Sequence, residues 1–353
     1  MSKWKIGIIG AGGITAKLHM PELNDLKDRA EVVLVSGRRD SRLEYFQKEY
    51  GVPRKTNDYD DVINDDEVDI VIIATPHMQH VNWGLKSLNA GKHIMMQKPL
   101  SGLLSECDDF VSAAEDSDKI VFCLPHYSSA IHHVRKLVDE GGIGKVTGAW
   151  GRASHGGPEI YYKEVCKIFG EPEPEELWFF DEQKAGVGAL FDMGVYPISN
   201  LVAALGTVKS VSGIISTMDK PTTLEDTATI LLHFENGATG IAETSWCDPG
   251  RTWGLRINGS ESKIEFQEYG NKATHYKPTS NDSDNALINE TSLDVKEIGT
   301  MHKHFLDCLD AGVQAPLSNV WNARHITEIM LKGLEAGKSG KRLDIVSEAK
   351  LIN

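Results

Sequence analysis

The turn Gly10-Ala11-Gly12-Gly13-Ile14-Thr15 follows the apolar run Lys5–Ile9 and opens an amphipathic stretch. Between a strand and a helix, G-x-G-x-x-G spacing has a mechanism. Gly10 permits a tight turn and Gly12 lets the backbone approach a pyrophosphate. Gly13 and Ile14 begin a helix whose unpaired N–H groups and positive dipole end attract phosphate. Thr15 stands where a third small residue is usual. The turn predicts dinucleotide binding.

About 25 residues past Gly12, where an NAD-binding unit usually carries Asp or Glu for the ribose 2′-hydroxyl, the chain reads Ser36-Gly37-Arg38-Arg39-Asp40. At about 4 Å and an effective dielectric near 20, a carboxylate there would oppose each charge of a 2′-phosphate by about 4 kcal/mol. Gly37 removes that penalty, and Arg38 and Arg39 offer bidentate donors. The expected cofactor is NADP, with NAD as the alternative. Two further segments, Ala74-Thr75-Pro76-His77-Met78-Gln79-His80 and Met96-Gln97-Lys98-Pro99-Leu100, end predicted parallel strands. Ligands of open α/β sheets bind at such ends. Thr75, Pro76, His77, His80, Gln97, Lys98 and Pro99 are therefore candidate cofactor contacts.

The elements that must position these residues are strands at Lys5–Ile9, Glu31–Ser36, Ile70–Ala74, His93–Met96 and Ile120–Leu124. Helical patterns at Thr15–Leu26, Ser41–Tyr50, Met78–Asn89 and Leu103–Ala114 separate them. That alternation predicts βαβ units in a doubly wound parallel sheet. After Leu124-Pro125 the pattern changes. A helix at about Ser128–Glu140 precedes a strand near Val146–Ser154 and a Glu171-Pro-Glu-Pro-Glu-Glu run expected to be solvated. A glycine-rich helix start follows at Gly186–Gly188. Asn236-Gly237 and Asn258-Gly259, each between β-rich runs, are hairpin signals. Residues 270–300 are polar and expected to form a long loop or irregular edge, and Met301–Ala311 and Val320–Ala336 regain helical periodicity. The expected fold class is α/β: a Rossmann domain over 1–124, then an α+β domain over 125–353 with a large, mostly antiparallel open sheet. Its terminal helices are placed to pack back on the first domain.

The chain has 353 residues, 41% hydrophobic and 25% charged, which excludes disorder throughout. A formal net charge of −14 with no basic patch disfavours nucleic acid and anionic membrane as partners. Cys107, Cys123, Cys166, Cys247 and Cys308 form no C-x-x-C pair, so neither a disulfide framework nor a thiolate zinc site is expected. The N-terminus is too glycine-rich for a signal peptide, and no uninterrupted apolar run has membrane-spanning length. A soluble, cytoplasmic protein is expected.

Gly10-x-Gly12-Gly13, Ala74-Thr75-Pro76, Ala90-Gly91-Lys92-His93, Lys98-Pro99 and Gly186-Val-Gly-Ala-Leu-Phe-Asp192-Met-Gly-Val-Tyr196-Pro197 occur in that order. Together they resemble the Gfo/Idh/MocA family of sugar and polyol oxidoreductases, and the region around Phe305–Lys338 extends the likeness. The resemblance implies hydride transfer between nicotinamide C4 and a carbon bearing a secondary alcohol or ketone of a sugar, cyclitol or related polyol. It also implies a second domain whose sheet roofs the nicotinamide and often forms the interface of a dimer or tetramer. Position by position, Lys98 matches the family's active-site lysine, Asp192 its substrate-orienting aspartate, and Tyr196 a position occupied by His or Tyr.

Oxidising an alcohol requires a group that takes the hydroxyl proton. Asp192 and Tyr196 lie four apart on a predicted helix and share one face. A free phenol titrates near 10, and a neighbouring ammonium lowers that value. Tyr196 is accordingly read as the acid/base, with Lys98 polarising the substrate oxygen and Asp192 holding a substrate hydroxyl. The reverse, with Lys98 as base, stays open. Gln97 departs from the family's usual Glu, His77 from its frequent Asn, and Ser128 from an arginine that would anchor an acidic substrate. His126, Tyr127, Arg152, His155 and Trp178 are the candidate substrate contacts. His132-His133 and His302-x-His304 lack partners at metal spacing, are read as helix-surface histidines, and lead to no metal being expected. Two other classes remain alternatives: an NAD-dependent glycosidase or lyase using transient oxidation, and a non-catalytic dinucleotide-binding regulator on the same fold.

Overall fold

β-branched runs buried on both faces form the middle of the first sheet, as expected for parallel strands covered by helices. The computed structural model describes residues 3–266, 273–278, 288–292 and 298–352. Six parallel strands, β1 (Trp4–Ile9), β2 (Ala30–Ser36), β3 (Arg54–Thr56), β4 (Ile70–Ile73), β5 (His93–Met96) and β6 (Val121–Cys123), stand in the order β3-β2-β1-β4-β5-β6. The order reverses beside β1 and β4, which opens a crevice at their carboxyl ends where dinucleotides bind in such sheets. Five strands match their expected positions. The short β3 is additional, because Arg-Lys-Thr carries no apolar alternation.

The second sheet has nine strands among the described residues. They are β7 (Val146–Ser154), β8 (Val208–Ser216), β9 (Thr227–Phe234), β10 (Thr239–Ser245), β11 (Thr252–Gly259), β12 (Lys263–Phe266), β13 (Thr274–Pro278), β14 (Ile288–Ser292) and β15 (Leu343–Asp344). Their order is β14-β13-β12-β11-β7-β10-β9-β8-β15; β7 and β10 pair in parallel and the other neighbours antiparallel. Of the expected long loop or irregular edge over 270–300, β13 and β14 replace the loop with two strands at one edge of the sheet; the remainder of that span, apart from residues 273 and 298–300, lies outside the described residues.

One face of this sheet packs on the helix Val195–Leu205, whose Ile198, Leu201 and Val202 are buried against Ile230, Leu255 and Ile257. Glu182–Leu205 is apolar and long enough to cross a membrane by composition, yet 83% of its apolar window is buried within the protein. The terminal helices join the two halves. Met301, Phe305 and Leu309 of Met301–Ala311 enter the core beneath β1 with Ile6 and Ile8. Val320–Ser339 buries Val320 and Ala323 against the first domain and Ile326, Ile329 and Met330 against the second.

Candidate active site

The glycine turn is shaped by contacts no larger residue permits. Gly10 has φ +113°, and a Cβ there would lie 2.4 Å from the Ala74 carbonyl oxygen. A Cβ on Gly37 would lie 2.6 Å from that of Ala11, so the glycine at the end of β2 is required by close packing. At Gly12 a Cβ would meet nothing within 4 Å, which leaves an open cradle beside the helix start. Thr15 is buried and donates its hydroxyl to the Gly10 carbonyl at 2.5 Å, closing the turn from below. At the neighbouring strand end the Thr75 hydroxyl and His77 Nδ1 are buried without hydrogen-bond partners. An open glycine cradle and two unspent polar atoms on the same crevice fit a bound dinucleotide.

Lys98 and Asp192 meet across the two domains. Lys98 Nζ donates to Asp192 Oδ1 at 2.9 Å and to the Asp192 carbonyl, and each side chain is 14% exposed. Lys98 Nζ also lies 5.1 Å from the centroid of the Tyr196 ring, which packs edge-on against Trp253 at 5.1 Å. Trp246 Nε1 donates to Asp192 Oδ2 at 3.0 Å, and His155 Nε2 stands 3.6 Å from that oxygen. Burial alone would lower the Lys98 ammonium's pKa, but Asp192, aided by the Tyr196 phenol, outweighs it and holds it above the ordinary value. Burial would likewise raise Asp192, but Lys98 and then His155 hold it far below the usual carboxylate range. His77 is pushed down to about 3 by burial and then by Lys98, so its ring is neutral. Trp178, edge-on to His77 at 5.4 Å, donates its indole N–H to the Tyr162 hydroxyl.

Gln97 has a structural reason. Its Nε2 lies 2.9 Å from His19 Nε2, His19 Nδ1 lies 2.9 Å from His302 Nε2, and His302 Nδ1 lies 2.8 Å from Glu22 Oε2. Gln97 Oε1 accepts from the Lys98 backbone N–H at 3.2 Å. With the Glu22 carboxylate as final acceptor, each neutral ring donates toward Glu22 and accepts from the Gln97 side. Only an amide both accepts from Lys98 and donates to His19; a carboxylate at 97 lacks the proton. His80 bridges the two strand ends, with Nδ1 2.7 Å from the Pro99 carbonyl and Nε2 2.9 Å from that of Thr75.

Other expected contacts lie elsewhere. Arg152 points to the opposite face of the sheet from Tyr196: it pairs across β11 with Gly254 while its neighbour Ala153 pairs with Trp253. There it donates to Asp248 at 2.9 and 3.0 Å. Tyr127 is buried in the core of the second domain, and burial pushes its phenol's pKa upward. His126 stacks on Phe122 and meets His304 at 5.4 Å behind the first sheet. His302 and His304 are buried, and His132 packs edge-on against His304, which corrects their reading as surface histidines. Arg38 is exposed, whereas Arg39 is engaged by Glu171, which is not solvated like the rest of its acidic run. Trp246 and Trp253 carry no spacing signal relative to Asp192 and Tyr196; the sheet register alone brings them there.

A Rossmann half and an open-sheet half sharing one lysine–aspartate pair define a two-domain dinucleotide-dependent class. The model of the oxidoreductase family with an NAD-binding Rossmann fold matches residues 4–124, and that of the Gfo/Idh/MocA C-terminal domain matches residues 131–265. The chain belongs to the Gfo/Idh/MocA oxidoreductase family. It is 24% identical over 246 residues to levoglucosan dehydrogenase of Pseudarthrobacter phenanthrenivorans, covering 62% of this chain and 60% of that one. It is 29% identical over 172 residues to inositol 2-dehydrogenase of Salmonella typhimurium, covering 47% and 50%. It is 27% identical over 242 residues to trans-1,2-dihydrobenzene-1,2-diol dehydrogenase of Oryctolagus cuniculus, covering 66% and 65%. The matched segments thus span roughly half to two thirds of these relatives' lengths. The fold of levoglucosan dehydrogenase in complex with NADH and levoglucosan superposes with a TM-score of 0.80 at 19% identity, over 98% of this chain and 100% of that one.

Proposed function

We propose that the chain transfers hydride between a nicotinamide dinucleotide and a secondary alcohol or ketone carbon of a sugar, cyclitol or related polyol. The observation that carries this reading is the Lys98–Asp192 pair, with Tyr196 beside it, at the mouth of the glycine crevice. Gly10, Gly12, Gly13 and Ile14 would hold the pyrophosphate, and Thr75, Pro76, His77, His80, Gln97 and Pro99 would line the nicotinamide end. When bound, the nicotinamide ring supplies the hydride acceptor or donor.

Asp192 keeps Lys98 charged, so the ammonium stabilises negative charge on the substrate oxygen and does not serve as the resting base. Tyr196 then exchanges the hydroxyl proton, while His155 and Trp178 border the sugar. Asp192 has one oxygen on Lys98 and the other on Trp246, which leaves its outer lone pairs for a substrate hydroxyl. Gly37, Arg38 and Arg39 stand at the end of β2, where the cofactor's adenosine ribose would lie, and the reading takes NADP or NAD as the cofactor. The reading includes a cytoplasmic location and a homodimer or homotetramer formed through the open sheet face, where Ile214, Leu231 and Ile241 are 72%, 49% and 38% exposed. The test is a screen of aldoses, inositols and uronic acids with NADP and NAD, followed by nicotinamide absorbance. Product formed with no net reduction of cofactor would replace hydride exchange with a transient-oxidation scheme, and no turnover of any substrate would count against an enzyme.

A further inference from the structure

Glu171 follows the helix Pro158–Phe169, capped by Gly170 in the left-handed conformation at φ +64°. The turn returns the Glu171 N–H to the Cys166 carbonyl at 2.9 Å and aims the side chain at the first domain. There Oε1 accepts from Arg42 Nε at 2.9 Å, and Oε2 accepts from Arg42 Nη2 at 2.5 Å and Arg39 Nη1 at 2.6 Å. The Glu171 side chain is 14% exposed, while Glu173, Glu175 and Glu176 of the same run are exposed. The helix carrying it is seated on the glycine turn: a Cβ on Gly13 would strike Val165 and Tyr161, and Lys17 pairs with Glu164. Arg42 lies over the Phe169 ring, 4.6 Å from its centroid.

We propose that Glu171 determines which nicotinamide dinucleotide is accepted, its carboxylate holding Arg39 and Arg42 against a 2′-phosphate and favouring NAD. This rests on the nicotinamide-dependent reading above. The end of β2 is where a dinucleotide's adenosine ribose falls, and Gly37 leaves that strand without the carboxylate usual in NAD-binding units. The second domain supplies the missing negative charge from across the cleft. A 2′-phosphate brings between one and two negative charges to guanidinium groups already shared with a carboxylate, and must displace it or suffer its repulsion. A 2′-hydroxyl brings no charge and leaves the bridge closed. The arginine pair that reads as an NADP signature along the sequence is thereby counterbalanced in the fold.

The experiment is equilibrium binding of NADH and NADPH to the full chain, followed by cofactor fluorescence. Native protein binds NADH at least as tightly as NADPH, and Glu171→Gln shifts the affinity ratio about tenfold toward NADPH. Glu171→Asp keeps the charge and holds the ratio near native; Glu173→Gln, on an exposed carboxylate, leaves it unchanged. A native preference for NADPH, a Glu171→Gln shift under about threefold, or a shift toward NADH overturns the proposal. Binding of neither cofactor to the native protein overturns the nicotinamide reading itself and the proposal with it.

Discussion

Two carboxylates of the second domain reach cations of the first, and the two bridges are built differently. Asp192 and Lys98 are each 14% exposed, and Trp246 fixes the second aspartate oxygen. Glu171 and Arg42 are equally shielded, but Arg39, the third member, is 62% exposed. Water reaches one end of the outer bridge, so its partners exchange at low cost, whereas breaking the inner bridge strands a charge. The inner pair therefore suits chemistry that needs one fixed ionisation state, and the outer pair suits selection among ligands.

Removing the inner cation should have the largest effect. Lys98→Met is expected to lower kcat by about 10²–10⁴-fold while dinucleotide binding persists, measured by steady-state kinetics beside cofactor titration. Asp192→Asn leaves the Lys98 ammonium without its counter-charge and should cost about 3 kcal/mol of stability in urea unfolding, against about 1 kcal/mol or less for Glu171→Gln. Equal losses would erase the distinction between the bridges.

The pH dependence follows from the same groups. Asp192 is depressed, so its contribution is complete above the ordinary carboxylate pKa and is lost only in stronger acid. Lys98 is raised, so its contribution is complete below its ordinary pKa and is lost only in strong alkali. Neither produces a limb in kcat between pH 5 and 9. The neutral histidines behave otherwise. The unfolded chain takes up protons near pH 6.5 that His77, held at about 3, refuses. Stability should therefore fall as pH drops through 6.5, by about 2 kcal/mol at pH 5 for this group alone, read as a lower Tm. Gln97→Glu removes the amide donor to His19 and puts a carboxylate on a buried side chain, which should cost about 1–3 kcal/mol, recovered in part where acid protonates the new carboxylate. A variant as stable as the native protein at pH 8 would show that the Glu22–His302–His19 chain does not depend on that donor.

The first sheet was largely legible because burial on both faces forces continuous β-branched runs, which stand out at β4 and β5. Lys98, Asp192 and Tyr196, singled out through the motifs that carry them, are side chains that the fold brings together. What stayed hidden depends on tertiary register. Trp246 lies 54 residues from Asp192, and His302 lies 283 from His19, separations that no local period encodes. Glu171 was masked by its neighbours, since a run of carboxylates reads as solvated until one of them finds two guanidinium groups. Arg152 failed for a simpler reason: strand alternation sends successive side chains to opposite faces, and a one-residue difference sets it outside the crevice.

The helix Val320–Ser339 has buried side chains in both cores, which makes it a strut common to the two halves. A strut of this kind resists the wide swing by which many two-lobed enzymes admit their ligands. The expected movement on dinucleotide exchange is therefore the smaller one, the segment 158–171 lifting from the glycine turn. Hydrogen exchange with and without NADH would register this as a change in protection along that segment and little along 320–339; the opposite pattern would mean that the lobes part as rigid bodies.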